Sequence, residues 1–146
     1  MSNDLVNYCE EKINEMKNKA NHNKNETLWS FRIIMISTLA VPLFISFGDS
    51  NLLSKVIPSI LSAISAFSTA WVQLRKPNQL WSLYRTAQRE LENELDLYKF
   101  NSKKYSEVEH KEQLLIEEFF SKYYEVNDEW KKLVPKAEDA LIKKNK

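Results

Sequence analysis

The sequence of 146 residues contains one glycine, Gly48, and one cysteine, Cys9. Ordinary usage would place about ten glycines in a chain of this length. Tight hairpins and phosphate-binding loops need residues that tolerate positive φ, so this scarcity argues against a sheet-rich fold and against nucleotide-binding glycine motifs. A single cysteine permits no intrachain disulfide. The composition therefore favours an all-α chain.

Side chains suited to catalysis or metal binding are also few. His22 stands in an Asn- and Lys-rich segment, and His110 lies among glutamates without a second histidine or cysteine at ligand spacing. No serine occupies a nucleophile elbow, and no carboxylate pair falls in an apolar segment. The net charge of +1 gives no basic footprint for nucleic acid. We therefore expect no enzymatic activity, no catalytic residue, no metal or other cofactor, and no nucleic-acid partner.

Two stretches of the chain, residues 33–48 and 56–74, carry no charge. At about 1.5 Å per residue the second stretch would reach about 28 Å, close to the roughly 30 Å of a bilayer core. The first reaches a similar length if it begins at residue 28 and Arg32 extends toward the headgroups. The sequence thus predicts transmembrane helices over 28–48 and 56–74 joined by an external loop at 49–55, with Gly48 as the helix cap. The alternative is two buried helices of a soluble four-helix protein.

The flanks of the two stretches predict their orientation. The connecting loop carries only Asp49 and Lys55, whereas basic residues precede the first stretch and follow the second. Trp29 and Trp71 fall at the same two ends, where aromatic rings favour the interface. The positive-inside bias therefore places both termini in the cytoplasm of a multi-pass protein in the cell membrane. The basic residues are Lys17, Lys19, Lys24, Arg32, Arg75, Lys76 and Arg85.

A stripe of small and polar residues follows one side of the second stretch. Its members recur at spacings of three, four, three and four, and bulky apolar residues occupy the opposite side. Such a stripe either packs helices closely or lines a water-filled pore formed by several copies. The stripe consists of Ser59, Ser62, Ala66, Thr69 and Gln73.

Residues 1–27 predict a cytoplasmic amphipathic helix, with Leu5, Cys9, Ile13 and Met16 on its apolar face. Its partner is either the membrane surface or, as the narrow apolar face favours, the C-terminal tail. The polar run at 21–25 is expected to break this helix before the first membrane stretch.

The tail, residues 77–146, predicts two charged helices with apolar seams in a coiled-coil-like helical bundle. The first seam ends near Asn101-Ser102, and Pro135 is expected to end or bend the second helix. The first seam comprises Leu80, Tyr84, Ala87, Leu91, Leu95 and Tyr98. The second comprises Ile116, Phe120, Tyr123, Asn127, Trp130, Val134, Ala137 and Leu141, flanked by Phe119, Val126, Leu133 and Ala140.

One run in the tail carries a family resemblance. It contains Trp81, Tyr84, Arg85, Ala87, Gln88, Leu91, Glu94 and Tyr98. With the preceding hairpin, this run resembles the bacterial SLATT superfamily of SMODS- and SLOG-associating two-transmembrane effectors, over roughly residues 5–130. Gln88 stands where the family run more usually has an acidic residue. The aromatic residues of the run either fill the tail core or contact a ligand.

The resemblance implies a bacterial inner-membrane effector of a conflict or anti-phage system. Such a protein would form homo-oligomers and permeabilise the bilayer when a separate sensor protein triggers it. The alternative is a membrane-anchored scaffold whose helical tail recruits a cytoplasmic partner without pore activity.

Overall fold

The structure, a computed structural model, describes residues 2–106 and 109–133, and every regular element in these ranges is helical. The expected all-α class is therefore confirmed for the described chain. Positions 134–146, including Pro135 and the predicted seam residues Val134, Ala137, Ala140 and Leu141, lie outside it. The elements are α1 (Ser2–Phe47), a π-helical turn (Leu52–Val56), α2 (Ile57–Arg75), α3 (Pro77–Lys99), a 3₁₀ turn (Lys103–Tyr105) and α4 (Lys111–Leu133).

Helix α1 runs without interruption through the polar segment at 21–25, so the predicted break there is wrong. Asn23, in the middle of that segment, is buried and donates a hydrogen bond of 2.8 Å from Nδ2 to the Lys19 carbonyl oxygen. It also continues the buried face of Met16 and Ala20 at spacings of four and three. The helical spacing of the buried positions therefore persists where the composition alone indicates a linker.

The turn between α1 and α2 is shorter than the predicted loop. Only residues 48–50 are non-helical, and the chain is helical again from Asn51. Gly48 follows the last residue of α1, but its φ is not positive, so it is not the left-handed cap that the sequence predicts. A Cβ atom there would lie 2.5 Å from the Phe44 carbonyl oxygen and 2.9 Å from the Ser54 nitrogen. Close backbone approach, not backbone conformation, requires the glycine.

The described chain forms two compact units. The first, which we call the hairpin unit, comprises Lys24–Pro77. Its least exposed positions recur at alternating intervals of three and four residues along α1 and α2. Many are small, which lets helix backbones approach closely. They are Ser30, Ile34, Ser37, Val41 and Phe44 on α1, and Pro58, Leu61, Ser65, Ser68 and Val72 on α2.

Much of the remaining surface of the hairpin unit consists of exposed apolar side chains. Ile36 and Phe67, for example, leave 67% and 69% of their surface accessible. The two apolar helices are long enough to cross a membrane, and only 6% of the most apolar window of each is buried. The core helices of a soluble protein would be mostly buried, so this exposure argues against the soluble four-helix alternative.

The second unit, the helical unit, combines the N-terminal part of α1 with α3, the 3₁₀ turn and α4. Their apolar faces form one hydrophobic core. This confirms that the N-terminal helix packs on the tail, as its narrow apolar face indicates. The core residues are Cys9, Ile13, Met16, Ala87, Leu91, Leu95, Tyr105, Leu115, Phe119 and Val126.

The buried face of α4 lies one residue earlier than the predicted seam. Leu115, Phe119 and Val126 are buried, whereas Ile116 and Trp130 are 41% and 40% exposed. Among the other predicted seam positions, Phe120 and Tyr123 are half-buried and Asn127 is exposed. Because α4 is apolar over a wide arc, several registers satisfy its pattern, and the contacts of α1 and α3 select the one adopted.

Candidate functional site

All five residues of the predicted stripe on α2 are exposed in the hairpin unit. The least exposed face of α2 lies one residue earlier, at Pro58, Leu61, Ser65, Ser68 and Val72. The stripe therefore does not pack α2 against α1 within one chain. Its polar groups stay on the outer surface, available to water or to another copy of the chain.

The stripe hydroxyls differ in their hydrogen bonding. Ser59 and Thr69 donate to the carbonyl oxygens of Lys55 and Ser65 at 2.7 and 2.8 Å. Ser62 and Gln73 make no hydrogen bond to any described part of the chain. In hydrocarbon the unbonded groups carry an unfavourable desolvation free energy, so they require water or a partner chain there.

A groove beside the stripe lies between α1 and α2. Thr38 Oγ1 and Ser65 Oγ lie 3.2 Å apart, within hydrogen-bonding distance. The groove is lined by Thr38, Val41, Ser62, Ser65 and Ala66. Stripe residues Ser62 and Ala66 thus form one wall of a small depression with mixed polar and apolar lining.

A charged contact links α1 and α2 at the end of the hairpin unit that is remote from the turn. Trp71 donates a hydrogen bond of 2.9 Å from Nε1 to Glu26, and Arg75 lies 3.4 Å from the second oxygen of the same carboxylate. The Arg75 guanidinium also lies 5.8 Å from the centre of the Trp71 ring. These contacts join α1 to α2 at the end that carries the basic flanks.

The residues of the family run follow α3. Ala87, Gln88, Leu91 and Glu94 are buried, and the other four, Trp81, Tyr84, Arg85 and Tyr98, are half-buried. Tyr84 and Tyr98 pack against the core of the helical unit, and Tyr98 meets the Tyr105 ring edge-on at 5.7 Å between centroids. These two aromatic residues therefore pack at the edge of the core of the helical unit.

Glu94 is the buried centre of an ionic cluster whose other members are partly exposed. Its side chain is 2% exposed and accepts a hydrogen bond of 2.6 Å from the Tyr105 hydroxyl. Lys104 and Lys122 lie 2.9 and 3.3 Å from its two oxygens, and Lys104 also pairs with Glu118 at 2.9 Å. Two carboxylates thus face two ammonium groups, and the cluster joins α3, the 3₁₀ turn and α4. The sequence includes Glu94 in the family run but does not indicate its lysine partners, because they come from other elements.

These contacts determine the protonation of the cluster. Burial alone would raise the pKa of Glu94, but the Tyr105 hydroxyl and the two lysines outweigh it and hold that pKa below its ordinary value of 4.5. Burial and the adjacent Glu94 raise the pKa of Tyr105. Glu94 is therefore ionised near neutral pH, and both of its oxygens have a lysine partner.

Arg85 and Gln88 form a second polar chain on α3. Arg85 donates to the Gln88 side-chain oxygen at 2.7 Å and to Asn21 Oδ1 at 2.9 Å, and Gln88 donates to Glu92 at 2.7 Å. The glutamine in place of an acidic residue therefore gives Arg85 a neutral partner instead of an ion pair.

No group of three or more His, Cys, Asp and Glu side chains that could hold a metal ion occurs among residues 2–106 and 109–133. Cys9 is buried, and desolvation together with Glu10 raises the pKa of its thiol to about 11. A thiol that stays protonated near neutral pH is a poor nucleophile.

No curated protein and no solved structure matches the chain. A family model described as a protein of unknown function (DUF4231) matches residues 11–113, more than half of the sequence. The matched region contains the whole hairpin unit, the family run on α3 and the Glu94–Tyr105 pair. The chain belongs to the DUF4231 family.

Proposed function

We propose that the hairpin unit spans a lipid bilayer and that copies of the chain assemble there to permeabilise it. The exposed apolar surface of α1 and α2 supports insertion, because large apolar side chains such as Ile36 and Phe67 are mostly exposed within the unit. Their transfer into hydrocarbon contributes about 25 cal/mol for each Å² removed from water.

Both termini face the cytoplasm in this proposal. Arg32 and Arg75 belong to the end of the hairpin that carries the basic flanks, whereas Asp49 and Lys55 are the only charged residues of the segment that joins the two helices. The Glu26–Arg75 pair offsets one charge at the basic end. Cytoplasmic loops carry an excess of lysine and arginine, which supports this orientation in a bacterial inner membrane.

The exposed stripe on α2 is the main support for the proposal that the protein permeabilises the membrane. One hairpin cannot enclose water, so in a bilayer the unbonded polar groups of Ser62 and Gln73 need a hydrogen-bond partner from another copy of the chain or from water in a shared pore. A homo-oligomer that lines a pore with the stripe supplies both kinds of partner. The bulky residues of the opposite side, including Ile60, Ile64 and Phe67, then face lipid.

The biological setting follows from the family resemblance of the run that begins at Trp81. We place the chain among non-enzymatic effectors of bacterial conflict or anti-phage systems, activated by a separate sensor protein. The helical unit, with its own hydrophobic core, is the part suited to receive such a partner.

Dye release from liposomes tests the permeabilising role. Reconstituted full-length chain is expected to release a small encapsulated dye and to retain a large dextran. Ser62→Leu with Thr69→Leu should abolish release, whereas Ile60→Leu with Ile64→Leu, on the lipid side of the same helix, should preserve it. Intact liposomes under every condition, with the protein inserted and oligomeric, would contradict the proposal.

An exposed aromatic patch on the helical unit supports a second candidate, a membrane-anchored scaffold. Tyr8 and Phe120 lie 6.0 Å apart, Phe120 and Tyr124 also lie 6.0 Å apart, and Tyr124 is 60% exposed. A scaffold predicts partner capture that Tyr124→Ser abolishes, with no dye release by the wild-type chain. Because α1 contributes to the core of this unit, the soluble fragment for such work must include residues 2–23.

A further inference from the structure

A shallow polar groove runs along one side of α3, within the helical unit. Its lining residues recur at three- and four-residue intervals, and none of them is acidic. Two arginines, one tryptophan and three neutral hydrogen-bonding side chains make up the lining. They are Asn78, Trp81, Ser82, Arg85, Thr86 and Arg89.

The positive charge of this groove is uncompensated. Arg85 binds only the neutral side-chain oxygens of Gln88 and Asn21, and Arg89 is exposed and forms no ion pair with any described residue. The carboxylate of Glu92 accepts a hydrogen bond from the Gln88 side chain and forms no ion pair with Arg85 or Arg89. Glu90 does not line the groove; it lines a neighbouring depression between α3 and α4, which shares Thr86 with the groove. Two guanidinium groups therefore share the groove without an anionic partner.

The chemistry of the lining matches a phosphate group. Planar guanidinium forks bind phosphate oxygens through paired charge-assisted hydrogen bonds. Asn78, Ser82 and Thr86 supply additional neutral donors, and the indole of Trp81 is suited to the membrane interface.

We propose that the α3 groove binds a phosphate group, with Arg85 and Arg89 as its cationic partners. The phosphate belongs either to the headgroup of an anionic phospholipid or to a soluble phosphate compound such as a nucleotide. This proposal does not depend on pore formation, because the groove lies outside the hairpin unit and binding is measured without any membrane leak.

Isothermal titration calorimetry of the full chain in neutral detergent micelles tests the site. The titrants are short-chain phosphatidylglycerol, short-chain phosphatidylcholine, inorganic phosphate and ATP. Saturable binding of phosphatidylglycerol alone assigns the groove to an anionic headgroup, and binding of ATP or inorganic phosphate assigns it to a soluble ligand. Either result supports the proposal, whereas the absence of saturable binding by all four titrants overturns it.

Variants assign any binding to the groove. Arg89→Gln removes no contact within the described chain and should raise the dissociation constant about tenfold, as expected for a lost charged hydrogen bond. Lys17→Gln removes the same charge from an exposed position of α1 outside the groove and should change affinity less than about twofold. Equal losses in the two variants, or no loss in Arg89→Gln, would overturn the proposal.

Discussion

Tyr105 donates a hydrogen bond of 2.6 Å to Glu94, and both side chains are buried in the core of the helical unit. The carboxylate is ionised because Lys104 and Lys122 approach it from two other elements. A buried charge with several partners is sensitive to the loss of any one of them. The pair therefore couples the end of α3 to the 3₁₀ turn and to α4.

Neutralising Glu94 should destabilise the helical unit. Glu94→Gln keeps the shape of the side chain but leaves Lys122 without a carboxylate and Lys104 with Glu118 alone, and we expect a loss of about 2 kcal/mol in unfolding free energy. Both lysines remain partly exposed and regain water, which keeps the loss below that of a fully buried pair. Denaturant unfolding of the full chain in micelles, followed by circular dichroism, measures this.

Tyr105→Phe is the matched control for that substitution. It removes only the neutral donor and leaves both lysine contacts, so about 1 kcal/mol should be lost. A larger effect for Tyr105→Phe than for Glu94→Gln would show that the hydroxyl, rather than the lysines, stabilises the carboxylate.

Acid should remove the contribution of Glu94. Its folded pKa lies below the ordinary value of 4.5, so the stabilisation is complete above that pH and disappears as the pH falls through the folded pKa. The stability difference between wild type and Glu94→Gln should therefore be constant near neutral pH and shrink below pH about 4.5. Unfolding midpoints of both proteins across that range measure it, and a difference that grows with acid would contradict the assigned direction.

The register of α4 can be tested with two neighbouring aliphatic residues. Leu115 is 0% exposed and Ile116 is 41% exposed. Leu115→Ala should cost about 2–5 kcal/mol of unfolding free energy, because it leaves a cavity in the core. Ile116→Ala should cost less than about 1 kcal/mol. The opposite order would place the core at the seam that the sequence predicts.

Gly48→Ala tests the close approach at the hairpin turn. The added methyl group would meet the Phe44 carbonyl oxygen and the Ser54 nitrogen at less than 3.0 Å. We expect destabilisation of about 1–3 kcal/mol, as for other overpacked sites. Asp49→Ala, at the exposed next position, is the control and should be nearly neutral. Thermal unfolding in micelles compares the two, and equal stability of Gly48→Ala and wild type would refute the steric account.

The sequence was sufficient for the features that depend on local pattern. The scarcity of glycine and the two uncharged stretches predicted helices, and the Leu5–Met16 stripe correctly indicated a packing face for the tail. The spacing also predicts that α1 is continuous, because Ala20 and Asn23 maintain the spacing of the Met16 face through the polar segment. In this segment the spacing of the buried positions, and not the polar composition, indicates the observed structure.

Other features depend on tertiary contacts that no local pattern contains. Phe119 and Phe120 are equally apolar, and only the position of α1 and α3 decides which one is buried. Glu94 has lysine partners ten residues or more away in sequence, so its burial could not be read from α3 alone. The role of Gly48 likewise depends on the backbone of the returning chain at Ser54.

Cysteine accessibility along α2 tests whether the stripe lines a water-filled path. The native thiol of Cys9 is buried and, with its pKa raised to about 11, stays protonated and gives little background. Single cysteines are introduced at Ser59, Ser62, Ala66, Thr69 and Gln73, and at Ile60, Ile64 and Phe67 as controls, in full-length chain reconstituted into liposomes. A membrane-impermeant thiol reagent should modify the stripe positions and leave the three controls unmodified. Protection of the whole stripe, or modification of stripe and control positions alike, would contradict the proposed pore.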